Sequence, residues 1–141
     1  MERTVIHLNI ADFSVAVERL LDTGLRRKAL IIAEPSPRAV VYDMSDEAYS
    51  EGVRKGMLLA RARQRCRDAL VLPPRPEQYL RALHRCLAHA LRYTPLVERS
   101  SGSGHLYLDV TGTPRLCGSA PDIGWQLRNT LRRDLIFHIV I

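Results

Sequence analysis

The apolar positions of this chain fall into short runs whose period changes along its length. Val5 to Ile10 is rich in β-branched and aliphatic residues and predicts a buried strand. Phe13, Val17, Leu20 and Leu21 follow at helical spacing. Asp12 stands just before them, where an N-cap carboxylate can accept from the N–H groups of Ser14 or Val15. Asp22-Thr23-Gly24 stops that helix. Ala29 to Ala33 and Ala39 to Tyr42 read as two short strands in a hairpin-like connection through Glu34-Pro35-Ser36-Pro37. Ser45 can cap a short helix that carries Asp46 and Glu47 in its first turn and ends at Gly52. A helix over Met57 to Arg67 has Leu58, Leu59, Ala62 and Cys66 on its apolar side, and Ala69 to Leu72 is a strand. Glu77 to Leu91 is the clearest helix, with a stripe of Tyr79, Leu80, Leu83, Cys86, Leu87, Ala90 and Leu91. Leu96 to Glu98 and His105 to Val110 read as strands, Ile123 to Leu131 as a helix, and Leu135 to Ile141 as a final strand.

That order predicts a mixed α/β fold in two sublayers. The apolar strands near the ends bracket an Arg-rich stretch that has short strands of its own. The final strand has no downstream element to cover it, so a longer chain or a partner is expected to complete it.

Length and composition narrow the class. The chain has 141 residues, enough for one domain or two small lobes, and 46% are hydrophobic. No run is long and apolar enough to cross a membrane, and Glu2 speaks against a signal peptide. Cys66, Cys86 and Cys117 form no CxxC pair, so neither a zinc framework nor a disulfide framework is indicated, which fits a reducing cytoplasm. His84 and Cys86 are two apart on a helix and cannot share a metal face. The net charge is +6, and Lys appears only at positions 28 and 55. Such Arg enrichment suits forked contacts to phosphate, but it also suits solvated faces in an Arg-rich proteome, and composition does not choose. The arginines at 61 and 65, and at 63 and 67, recur at i,i+4; the ridge of Arg81, Arg85 and His89 reads as a solvated face.

A strand turning directly into a helix often carries the chemistry of an α/β enzyme. Here the turn offers Asn9, Ala11, Asp12 and Ser14, a weak catalytic set. Yet Phe13 with Val15-Ala16-Val17-Glu18, the segment from Arg38 through Gly52-Val53-Arg54-Lys55-Gly56-Met57, Tyr79, Arg92 through Glu98, and Tyr107-Leu108-Asp109-Val110-Thr111-Gly112 stand in a fixed order. Together they resemble the Y-family, or lesion-bypass, DNA polymerases of the DinB/UmuC type over almost the whole chain. The resemblance implies an α/β (α+β) fold: a ferredoxin-like palm over 1–11 and 73–141, incomplete at its C-terminus, with a small fingers lobe inserted over 12–72.

The departures from that family carry the functional reading. Phosphoryl transfer to a nucleotide uses two Mg²⁺ ions, which want carboxylate oxygens. Where the family has its first aspartate, this chain has Asn9. The family's Asp-Glu pair falls within Ser101 to His105, where Ser103, Gly104 and His105 offer no carboxylate. The sugar gate aligns with Ser14, and the triphosphate clamp aligns with Asp46 and Tyr49. Asp12 and Asp109 are the possible substitutes, the first better used as a cap and the second as a structural group. No catalytic residue, metal or cofactor is therefore expected, although active family members use Mg²⁺.

The pattern is similar to the ImuB-type branch, whose members lack the carboxylates and act as adaptors for another polymerase in damage-induced mutagenesis. The leading expectation is a silent palm-and-fingers module of a bacterial, cytoplasmic DNA-repair or translesion-synthesis protein, with a DNA-binding or scaffolding role. Two alternatives stay open: an active nucleotidyltransferase with an unusual metal site, and a truncated module without DNA affinity. The expected partners are DNA, held weakly through phosphates by Arg54, Lys55, Arg61 and Arg65, and another polymerase or repair proteins, with no membrane.

Overall fold

A computed structural model describes residues 2–10, 12–99, 104–112, 118–135 and 139–140, with 134–135 and 139–140 described through their backbone. The expectations for Ala11, Ser103, Cys117 and Ile141 lie outside these residues. The chain divides into two compact units, Met1–Phe13 with Glu77–Ile141, and Ser14–Pro76. The division falls two residues beyond the expected boundary at 11/12 and four beyond that at 72/73.

The first unit is built on β1 (Val5–Ile10), β5 (Val97–Arg99), β6 (His105–Asp109) and β7 (Ile139–Val140), with α4 (Pro76–Ala90) and α5 (Ala120–Leu135). Its sheet order is β5-β6-β1-β7, and every pairing is antiparallel. Along the chain this is β-α-β-β-α-β, the ferredoxin-like arrangement. The first strand and His105–Asp109 are neighbours over five residue pairs, from Val5 opposite Asp109 to Asn9 opposite His105. Alternation explains the register. Ile6, Leu8 and Ile10 are buried, as are Leu106 and Leu108, so one face of the central strands is core. The other face carries Val5, His7 and Asn9 opposite Asp109, Tyr107 and His105. From α4, Tyr79, Ala82, Leu83, Cys86 and Ala90 are buried; from α5, Ile123, Leu127 and Leu131.

The second unit holds most of α1 (Phe13–Leu21), a 3-10 turn at Thr23–Leu25, α2 (Asp46–Ser50) and α3 (Leu59–Arg65). Its sheet has the order β3-β2-β4, from β2 (Leu30–Ile32), β3 (Asp43–Met44) and β4 (Leu70–Leu72), with β2 and β4 parallel. Ile31, Ala33, Val41, Met44, Ala48, Val53, Leu59, Ala62 and Cys66 form its core. Ser45 caps α2 as expected, accepting from the Ala48 N–H at 3.3 Å and also from the Leu30 N–H at 2.9 Å. Glu18 on α1 is 2% exposed and accepts both donors of an Arg75 fork, Nε at 3.0 Å on Oε1 and a terminal nitrogen on Oε2.

Several local expectations are corrected. Ala39 to Tyr42 is not a strand. The backbone of Ala39 and Val41 is spent elsewhere, with the Val41 N–H bonded to the Met57 carbonyl, the Leu59 N–H to that of Ala39 and the Gly56 N–H to that of Val41; the Tyr42 N–H reaches the Ile32 carbonyl of β2, and the strand beside β2 is Asp43–Met44. The helix expected from Met57 begins at Leu59, because Leu58 has extended backbone and is 56% exposed. Leu80 and Leu91 are exposed rather than part of the stripe on α4, and Leu21 is exposed on α1. Leu96 precedes its strand and is exposed, and Leu135 belongs to α5 rather than to a final strand. Asp12, just before α1, has a left-handed backbone with φ +47°.

Candidate functional site

The register of the first unit brings together Asn9 and His105, two of the positions at which the sequence reading expects the family's carboxylates to be replaced. Asn9 on β1 lies directly opposite His105 on β6, on the partly exposed face of the sheet. Gly104 precedes His105 with φ +70°, and its carbonyl accepts from the Ile10 N–H at 3.0 Å. A Cβ at Gly104 would stand 2.7 Å from the Phe13 Cβ and 2.9 Å from its Cγ. No L side chain fits there without displacing Phe13, so this backbone excludes a carboxylate at position 104.

His105 is held by His7, a residue that the sequence reading passed over. The His7 Nε2 and His105 Nδ1 atoms are 2.8 Å apart and share one hydrogen bond. Their rings stack at 5.0 Å, and His7 stacks on Tyr107 at 4.6 Å and 6°. The signal was available in the strand period of two, which places His7 beside Asn9 on one face and opposite Tyr107.

Asp109 is on the same face but pairs with Val5, at the far end of β1 from Asn9. Four residues of strand separate the two ends, roughly 13 Å. Asp109 Oδ1 accepts from the Thr111 N–H at 3.0 Å and Oδ2 from Arg3 Nε at 3.2 Å. The hydrogen bonds from Thr111, and then the Arg3 charge, hold its carboxyl below the usual aspartate range. It closes a strand end rather than facing Asn9.

Mg²⁺ asks for near-octahedral oxygen ligands at about 2.0–2.1 Å. The residues here are a neutral amide, an imidazole engaged with another imidazole, and a glycine without room for a side chain. They do not fit a Mg²⁺ pair. Among the described residues, no group of three His, Cys, Asp or Glu could hold a metal ion.

In the second unit, Ser14 is buried, 3% exposed, in the first turn of α1. Asp46 and Tyr49 lie on α2, with Asp46 exposed in its first turn and Tyr49 49% exposed. The Arg54 guanidinium lies 3.6 Å over the Tyr49 ring and donates to the carbonyls of Tyr49 at 2.7 Å and Val53 at 2.8 Å. The nearest aromatic to the basic cluster thus already carries a cation, which its place on another element hid from the sequence reading. Lys55 Nζ is 3.6 Å from the buried Asp43 carboxylate. Arg61 and Arg65 are exposed on α3, and the Arg65 stem covers Gly52, its Cδ 3.5 Å from where a Cβ would stand. Glu47 is pushed up by burial, but its backbone hydrogen bond and then Arg19, 3.0 Å away, bring it below the usual glutamate range.

The impB/mucB/samB family matches residues 8–141. DNA polymerase IV of Ralstonia nicotianae is 34% identical over 134 residues, covering 94% of this chain and 37% of that protein. DNA polymerase IV of Pseudomonas aeruginosa is 37% identical over 141 residues, covering 99% of this chain and 39% of that protein. The chain thus spans under two fifths of these relatives. Among solved structures, an insertion ternary complex of Dbh DNA polymerase has a TM-score of 0.84 at 21% identity, covering 96% of this chain and 40% of that one. DinB from Sulfolobus solfataricus has a TM-score of 0.84 at 22% identity over the same shares. These two show the fold, a palm and fingers, while the family match rests on the sequence. No helix among the described residues is long and apolar enough to cross a membrane. The chain belongs to the impB/mucB/samB family, the Y-family of DNA polymerase-like proteins.

Proposed function

We propose that this chain is the catalytically silent palm and fingers of a bacterial, ImuB-like DNA-repair protein, a cytoplasmic pseudoenzyme that binds DNA weakly or scaffolds another polymerase in translesion synthesis. The observation that carries the reading is the pairing of Asn9 with His105, next to a Gly104 that has no room for a side chain. Losing one carboxylate changes a side chain; losing room for one changes the backbone that would present it. The active alternative relies on Asp12 and Asp109, and it is weakened by the commitment of Asp109 to Arg3 and Thr111 at the other end of β1.

DNA contact in this reading is to phosphates and insensitive to sequence. Arg61 and Arg65 are its main candidates. Arg54 and Lys55 have partners within the fingers and would have to leave them. Dissociation constants on the order of 10⁻⁴ to 10⁻⁶ M, falling steeply with salt, are expected. Calorimetry at millimolar Mg²⁺ tests the silent palm: no binding is expected at Asn9 and His105, and an ion held there by Asp12 or Asp109 overturns the reading. A salt titration of DNA binding tests the partner, and no measurable binding at low salt would favour the module without DNA affinity.

A further inference from the structure

We infer that the outer face of α5 docks an acidic amphipathic helix of a partner protein, anchored on Trp125 and held by Arg128 and Arg132. This rests on the scaffolding role proposed above and gives that role a surface.

Trp125 is set apart by its place on the helix. Ile123, Leu127 and Leu131 form the buried stripe of α5. At about 100° per residue, Trp125 stands about 160° around the helix from both Ile123 and Leu127. No small rotation of α5 could bury it. It is 65% exposed, although tryptophan is among the side chains most buried on average. The buried stripe of α5 packs on the core side of the palm sheet, so this outer face points away from the open side that carries Asn9 and His105. A partner seated there leaves the open side uncovered.

Arg128 and Arg132 follow Trp125 at i+3 and i+7, both exposed, and neither has an ion pair or hydrogen bond among the described residues. The three form one near-axial row about 10 Å long, at about 1.5 Å per residue. The helix dipole accounts for Arg132 in the last turn but not for Arg128. Asp122 does not neutralise the row, because its Oδ2 accepts from the Ser119 hydroxyl at 2.8 Å where the helix starts. A lone exposed tryptophan would need no partner. One beside two unpaired guanidinium groups has the composition of a binding hot spot, in which Trp and Arg predominate. Charge selects the occupant. An apolar centre with two cations complements an apolar residue with two carboxylates, and a straight axial row is matched by one face of a second helix. Another copy of this same face is disfavoured, since like charges would meet. Phosphate-directed binding draws on many cations, about six to ten contacts in strong cases, and this row has two.

The test uses the whole chain and a labelled synthetic helical peptide that presents leucine on one face, with glutamate three and seven residues further on. A second peptide carries lysine in place of both glutamates. Trp125 is the only tryptophan, so its emission reports the contact directly. The glutamate peptide should shift that emission to the blue, and the lysine peptide should not. By anisotropy of the labelled peptide, Trp125→Ala should weaken binding at least about tenfold, as truncation of a hot-spot residue does. Arg128→Glu combined with Arg132→Glu should exchange the preference, so that the lysine peptide binds instead. Arg61→Glu combined with Arg65→Glu, at exposed positions on α3, should leave the preference as it is. No binding of the glutamate peptide, or a preference for it that survives the double reversal on α5, overturns the proposal. A Trp125 emission change with a single-stranded oligodeoxynucleotide but not with the glutamate peptide also overturns it and assigns this face to nucleic acid. Each of these failures leaves the silent palm standing, because primer extension reads that separately.

Discussion

Removing the Arg75 guanidinium from Glu18 should destabilise the second unit strongly. Glu18 is 2% exposed and receives both forks of the guanidinium, while the Arg75 side chain is 47% exposed. Breaking a buried ion pair from one side costs about 3–5 kcal/mol because a charge stays behind in a low-dielectric place. Water reaches the arginine side of this pair, so screening reduces the expectation for Arg75→Met to about 2–3 kcal/mol. With a urea slope of about 2 kcal/mol/M, the midpoint should fall by about 1–1.5 M. Glu18→Leu combined with Arg75→Met removes both charges and should recover much of the loss, since an apolar pair of similar volume is often neutral. Far-UV circular dichroism follows both units, while the single tryptophan, Trp125 on α5, reports on the first. A midpoint for Arg75→Met within about 0.3 M of the parent would refute the reasoning, because it would mean that the buried carboxylate does not depend on its partner.

Other outcomes follow from the same geometry. Gly104→Ala should cost about 2–4 kcal/mol, from the left-handed backbone and the clash with Phe13, whereas Gly56→Ala, with φ +80° but open space around it, should cost only about 1–2 kcal/mol in the same melts. Equal losses would mean that Phe13 gives way freely. Asp109 has its folded pKa lowered by Thr111 and Arg3, so its contribution is present above the unfolded aspartate value, about 3.9, and is lost as pH falls through the folded one. The melting difference between the parent and Asp109→Asn should therefore shrink between about pH 5 and pH 2; a difference that grows on acidification would reverse the sign. Replacing Arg61 and Arg65 together by Ala should lower the salt slope of DNA binding by roughly two if both neutralise phosphates. An unchanged slope would make them solvated residues only.

Much of this architecture can be read from period alone. Val5 to Ile10 and His105 to Asp109 alternate buried and open positions, and their pairing follows from placing the buried sets on one side. Ser45 could be assigned because a serine before Asp46 and Glu47 has one evident use. The strand beside β2 was misplaced because Val40-Val41 has strand composition, while the turn at Gly56 takes its hydrogen bonds. Leu80 and Leu91 were assigned to the core of α4 by spacing, although a leucine at the rim of a stripe is equally compatible with solvent. In the site, sequence order singled out Asn9 and His105, which the structure places opposite each other. It did not reveal that His7 bonds His105, that Gly104 is sterically closed, or that Glu18 is buried with Arg75. Each depends on residues 57 to 98 positions apart, or on a backbone angle, and neither leaves a local pattern.

The central claim is that this palm does not transfer nucleotides, and primer extension tests it most directly. Protein is held in excess over a primer-template so that weak binding does not hide activity, and each of Mg²⁺ and Mn²⁺ is supplied with all four deoxynucleotides. The pairing of Asn9 with His105, beside a glycine that admits no side chain, predicts a primer that stays at its starting length with either ion. Extension by this chain that disappears on Asp12→Ala or Asp109→Ala would contradict the claim and assign the metal site to those carboxylates.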